Sequence, residues 1–103
     1  MNTDSGLPVR AVDTDLIIQL IMRYLNDISH PHFRIGLYAW NNKYILKIEA
    51  GLLEQTYKIS EMDVLDPSEL PNLVDGPFLE QVARRFADMD ADWRATAERH
   101  EMD

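Results

Sequence analysis

Between residues 33 and 59 the chain carries alternating apolar and polar runs, the first two of which meet at Asn41-Asn42. Folding about that dipeptide sets Ala39 opposite Tyr44, Leu37 opposite Leu46 and Ile35 opposite Ile48, so one face is apolar throughout. The other face then opposes Arg34 to Glu49, Gly36 to Lys47 and Tyr38 to Ile45. Side chains alternate with period two along a strand, so a slip by one residue would destroy the apolar face, and the pattern specifies its own register. Asparagine tolerates the positive φ that a two-residue hairpin turn requires. The sequence thus predicts one strand from about 33 to 40 and a second from 43 to 49.

A second turn is expected at Ala50-Gly51, leading into a third strand whose Leu53, Gln55, Tyr57 and Ile59 fall on the core side. That turn would set Glu54 against Lys47, a favourable pair, but also Lys43 against Lys58, an unfavourable one. The register here is therefore less constrained than in the first hairpin.

The flanks supply helical patterns. Residues 1–12 read as a flexible arm. From Asp13-Thr14-Asp15, which suits an N-cap, apolar residues recur at Ile17, Leu20, Ile21, Tyr24, Leu25 and Ile28, the spacing of one helical face. The helix would stop before His30-Pro31, because the residue preceding a proline is driven out of the helical region. Asp66-Pro67-Ser68-Glu69-Leu70 has the form of a capped helical turn, with Asp66 accepting free amides and Pro67 in first position. A long helix is expected from Asp75-Gly76-Pro77, carrying Phe78, Leu79, Val82, Phe86, Met89 and Trp93 as a stripe that must bury against something. Residues 13–100 then form a single α+β domain of helix, three-stranded antiparallel meander and helix (α-β-β-β-α), with both helices on one face of the sheet. Residues 101–103 are expected to fray.

Composition narrows the possible functions. A chain of 103 residues with 46% apolar residues can bury one core. It has no cysteine, which removes disulfides, thiolate nucleophiles and thiolate-bound zinc together. No stretch approaches the roughly 20 apolar residues of a membrane span, and the first residues lack the pattern of a secretory signal. A cytoplasmic protein that engages no membrane is the expectation. Residues 1–51 hold five acids and five bases, whereas residues 52–103 hold thirteen acids and five bases, so the net charge of −8 belongs to the second half. Such a field opposes binding to duplex DNA or anionic lipid.

Candidate chemistry is sparse. Asp88-Met89-Asp90-Ala91-Asp92 resembles the start of a calcium loop, but the glycine and glutamate that such a loop needs are replaced by Trp93 and Arg99. On a helix these carboxylates instead face Arg84 and Arg94 four residues away. His30-Pro31-His32 brings two imidazoles close in sequence without an identifiable third ligand, so exposed turn histidines are favoured over a metal site. Ser60 and Ser68 fall at turns or caps with no adjacent base, and the four glycines never cluster into a phosphate-binding loop. The chain is expected to be no enzyme and to carry no cofactor and no metal. Gln55 is polar on an otherwise apolar face beside Tyr44 and Tyr57, where a ligand pocket is conceivable; a buried amide is more commonly satisfied by backbone or a neighbouring tyrosine.

The outer sheet face is the remaining candidate. Arg34, Tyr38, Trp40, Lys43, Ile45 and Lys47 would share it with Glu49, Glu54, Thr56 and Lys58, forming an aromatic and locally basic patch on an acidic protein. Patches of this kind mark association sites, and tyrosine and tryptophan suit interface anchors. The expected role is a protein-binding or adaptor module that forms a homodimer, either sheet to sheet or with the basic face of one copy against the acidic segment of another. The alternative is single-stranded nucleic acid, with Tyr38 and Trp40 stacking on bases and Arg34, Lys43 and Lys47 on phosphates. The overall charge opposes it. Coverage of the patch by the N-terminal arm or by the acidic loop of residues 61–75 competes with both.

Overall fold

A computed structural model describes residues 22–102 of the chain. Four strands form one antiparallel sheet in sequence order: β1 (Arg23–Ile28), β2 (Arg34–Trp40), β3 (Lys43–Ala50) and β4 (Leu53–Ser60). Two short 3-10 turns, Glu61–Asp63 and Pro67–Glu69, lead into a one-turn helix α1 (Leu70–Leu73) and then the long helix α2 (Gly76–Arg99). The protein is α+β with an antiparallel sheet, as the sequence predicts, but the sheet has one strand more.

The β2–β3 hairpin keeps the register read from the sequence. Arg34 pairs with Glu49, Ile35 with Ile48, Leu37 with Leu46 and Ala39 with Tyr44. Asn41 and Asn42 adopt φ of 51° and 62°, the double left-handed turn whose twist matches that of the flanking strands. In the β3–β4 hairpin the turn lies at Gly51-Leu52, one residue later than expected, with Gly51 at φ 61°. The register therefore moves by two: Lys47 pairs with Thr56, Ile45 with Lys58, and Lys43 with Ser60. An even shift preserves which face each side chain occupies, so Leu53, Gln55, Tyr57 and Ile59 remain inward and the unfavourable opposition of Lys43 to Lys58 disappears.

The first helix expected over residues 13–28 needs correcting. Residues 1–21, with the expected arm over 1–12 and the first part of that helix, lie outside the described part, so the correction concerns Arg23–Ile28, which is strand β1, paired antiparallel with β2. β2 is buried along Ile35, Leu37 and Ala39, and its backbone amides and carbonyls need a partner on both sides. A bulge between Tyr24 and Asn26 explains why this strand looks helical. One extra residue resets the alternation, so Leu25 and Ile28, three apart, both pack against the core while Tyr24 faces outward beside Tyr38. The i, i+3 spacing that suggests a helix is here a bulged strand.

The core lies between the inner sheet face and α2. Ile35, Leu37, Tyr44, Leu46 and Ile48 from the sheet meet Leu70, Val82 and Phe86. Each fully buried side chain of this size contributes about 1.5–3 kcal/mol. α2 runs antiparallel to β4. Phe78 meets Tyr57 edge to face at 5.3 Å, and Val82 lies over Gln55. At 24 residues α2 is about 36 Å long against about 27 Å for an eight-residue strand, so its C-terminal turns outrun the sheet. Trp93, the last residue of the expected stripe, accordingly reaches the β3–β4 turn and is half exposed beside Leu52 and Leu53.

The caps follow the sequence. Asp75 Oδ1 accepts from the Phe78 amide at 3.0 Å, and Asp66 Oδ1 accepts from the Ser68 amide at 3.0 Å and the Ser68 hydroxyl at 2.8 Å. At the other end of α2, Glu101 takes φ 55° while the Met102 amide donates to the Ala97 carbonyl at 2.8 Å and the Glu101 amide to the Glu98 carbonyl at 3.1 Å. That is a Schellman cap closing the helix.

Candidate docking face on the outer side of the sheet

Strand alternation turns Gly36, Tyr38 and Trp40 of β2, Lys43, Ile45 and Lys47 of β3, and Glu54, Thr56 and Lys58 of β4 away from α2. These residues do not form a flat patch. Tyr38 folds back along its own strand, so that a Cβ placed on Gly36 would sit 3.1 Å from its Cε1 and 3.2 Å from its hydroxyl oxygen. Gly36 thus supplies the flat backbone on which the ring rests. Tyr24 of β1 meets Tyr38 edge to face at 5.8 Å. Partial burial of its phenol, together with the neighbouring Asp27 carboxylate, raises the Tyr24 pKa above its ordinary value.

Beside this aromatic pair runs a groove of about 260 Å³, lined by Met22, Trp40, Ile45, Lys47, Glu54, Thr56 and Lys58. Ile45 is not the exposed anchor expected from the sequence. It is only 4% exposed and forms part of the groove lining, with Trp40, 41% exposed, beside it. Lys47 Nζ lies 3.7 Å from Glu54 Oε1, and the Thr56 hydroxyl donates to Glu54 Oε2 at 2.7 Å. The favourable Lys47–Glu54 pair read from the sequence thus forms diagonally, although its residues are not directly opposed.

Of the six residues singled out in the sequence, Trp40, Ile45 and Lys47 meet in the groove. Lys43 pairs with Trp40 and Tyr38 with Ile45 across the hairpin, while Arg34 stands at the far end of β2 opposite Glu49. Met22 and Tyr24 belong to this face and escape sequence reasoning because their segment carries helical spacing. Strand alternation from Tyr24 to Tyr38 would have shown it, had the bulge been recognised.

The other candidates resolve into structural roles. His30 Nδ1 accepts from the amides of His32 and Phe33, both at 3.1 Å, and its ring stacks on Phe33 at 4.8 Å. That nitrogen is committed to the β1–β2 turn. Asp88, Asp90 and Asp92 lie within helix α2, where Asp90 Oδ2 accepts from Arg94 Nε at 2.7 Å. Gln55, 8% exposed, donates to the Val82 carbonyl at 2.9 Å and accepts from the Tyr57 hydroxyl at 2.8 Å. Both its amide nitrogen and its oxygen are engaged inside the fold. Among the described residues no group of three or more His, Asp or Glu is placed to hold a metal ion, and no helix is long and apolar enough to cross a membrane.

No known protein family, curated protein or solved structure matches the chain.

Proposed function

We propose that this protein is a non-enzymatic protein-binding or adaptor module that self-associates and docks through the outer face of its sheet. The observation that supports this most is the groove beside Trp40. It offers a large aromatic wall, an apolar lining at Ile45 and Met22, and lysines at its rim, the arrangement of an interface pocket with a polar border. A soluble, cytoplasmic setting is part of the proposal and rests on the net charge of −8 and the cysteine-free composition.

Site-specific photo-crosslinking tests it. A photoreactive residue at position 56 should trap one or a few defined proteins in cells, whereas the same residue at position 85, on the exposed side of α2, should trap none of them. Equal trapping at both positions contradicts a dedicated docking face.

Single-stranded nucleic acid is the second reading, and the exposure of Trp40 beside Lys43 favours it. Against it stand the Tyr38 ring, which lies on Gly36 instead of standing free for stacking, and the Lys47 amine beside Glu54. A mobility-shift assay with mixed oligonucleotides at low salt discriminates, because phosphate contacts give binding that weakens steeply as salt rises. Absence of a shift discards this reading.

A further inference from the structure

We propose that the occupant of the Trp40 groove is the 61–66 segment of a second copy of this chain, with Met62 and Leu65 entering it as apolar anchors; this rests on the outer face being the docking surface. Three observations support that occupant.

The first is the segment itself. Met62 is 91% exposed and Leu65 is fully exposed, as Leu52 is in the β3–β4 turn, but Met62 and Leu65 stand three residues apart on one segment and can present a joint apolar surface. The backbone carrying them is nevertheless held in place. Ser60 Oγ accepts from the Met62 amide at 3.2 Å, the Val64 amide donates to Glu61, Asp66 caps the next turn, and the Glu61 amide donates to the Asn42 carbonyl at 3.1 Å. Ordering such a segment costs little at the moment of binding, because its conformation is already set. Its own exposure shows that it does not fill its own chain's groove.

The second is charge. Met62 and Leu65 are surrounded by Glu61, Asp63 and Asp66 with no basic residue between them. The groove carries Lys47 and Lys58 at its rim against Glu54, and Lys43 stands beside Trp40. An acidic segment with apolar tips and an apolar groove with a basic rim are complementary.

The third is position. The Glu61–Asn42 hydrogen bond ties the segment to the β2–β3 turn, and Trp40 and Lys43 are the strand residues flanking that same turn. The Trp40 end of the groove and the segment lie at the same end of the sheet, and the groove runs from there along β4 to Glu54. A single twofold axis near that end lets each copy place its segment in the groove of the other, giving two equal contacts and a closed dimer.

Sedimentation velocity across 2–200 µM (about a hundredfold range) tests this with three proteins: the natural chain, Met62→Asp/Leu65→Asp and Trp40→Ala, the span being chosen to bracket micromolar association. The substituted side chains of the first variant are exposed, and circular dichroism checks that both variants remain folded. The natural chain should pass from monomer to dimer, and dimerisation should weaken at least tenfold in raised salt. Both variants should remain monomeric at the top concentration. A dimer that survives Met62→Asp/Leu65→Asp but is lost in Trp40→Ala overturns this occupant while leaving the docking face intact. So does a natural chain that stays monomeric while position 56 still crosslinks to another protein. A dimer unaffected by either variant overturns both the occupant and the face.

Discussion

The side-chain amide of Gln55 in β4 donates to the backbone carbonyl of Val82 in α2 at 2.9 Å, and this bond joins the two layers at the centre of the core. Tyr57 completes it by donating its hydroxyl to Gln55 Oε1 at 2.8 Å. Because the pair lies among Phe78, Val82 and Ile48, loss of one member leaves a buried polar atom without its partner.

Tyr57→Phe should therefore cost about 1 kcal/mol and Gln55→Ala about 1–3 kcal/mol. Urea denaturation of the two single variants and the double variant measures both. The double variant should cost less than the sum of the singles, since the two residues share one hydrogen bond. Strict additivity would show that the hydroxyl and the amide act independently.

The Asn41-Asn42 turn predicts an opposite response to two substitutions at one position. Asn42 sits at φ 62°, where glycine is free of strain and a β-branched residue is not. Asn42→Gly should leave stability unchanged or raise it by a few tenths of a kcal/mol, and Asn42→Val should lower it by about 1–2 kcal/mol. Thermal unfolding followed by circular dichroism distinguishes the two.

Asp66 predicts a response to acid. Hydrogen bonds from the Ser68 hydroxyl and the Ser68 amide hold its carboxyl below the ordinary carboxylate range. A carboxyl whose pKa is lower in the folded state stabilises the fold at pH values above its unfolded pKa, and that contribution is lost as pH falls through the folded pKa. The Ser68 amide should thus stay protected at pH 4 and lose protection on further acidification, as measured by hydrogen exchange. Asp66→Asn should remove this pH dependence while keeping most of the cap, since asparagine also accepts from a helix N-terminus.

How far the sequence predicts the fold depends on parity. In β2 and β3 strict alternation and an asparagine turn specify register to the residue, and even the two-residue error in the β3–β4 register leaves Leu53, Gln55, Tyr57 and Ile59 on the correct face. The bulge after Tyr24 breaks parity, and with it the sequence signal: Tyr24, Leu25 and Ile28 then match a helical stripe better than a strand. What selects the strand is the need of β2 for a second hydrogen-bonding neighbour, a tertiary demand that no local window contains. The same limit hid Met22 and Tyr24 from the candidate face and made Ile45, buried between Tyr38 and Lys58 on the neighbouring strands, look like a surface residue.

Quenching of Trp40 fluorescence by acrylamide, in a Trp93→Phe background that leaves Trp40 as the sole indole, tests most directly whether a second copy docks on the outer face. Trp40 is 41% exposed in the single chain, so quenching should be efficient in dilute protein. As concentration rises and the groove fills, the quenching constant should fall at least twofold, and Met62→Asp/Leu65→Asp should abolish that fall. A quenching constant that stays the same from dilute to concentrated protein would contradict the account.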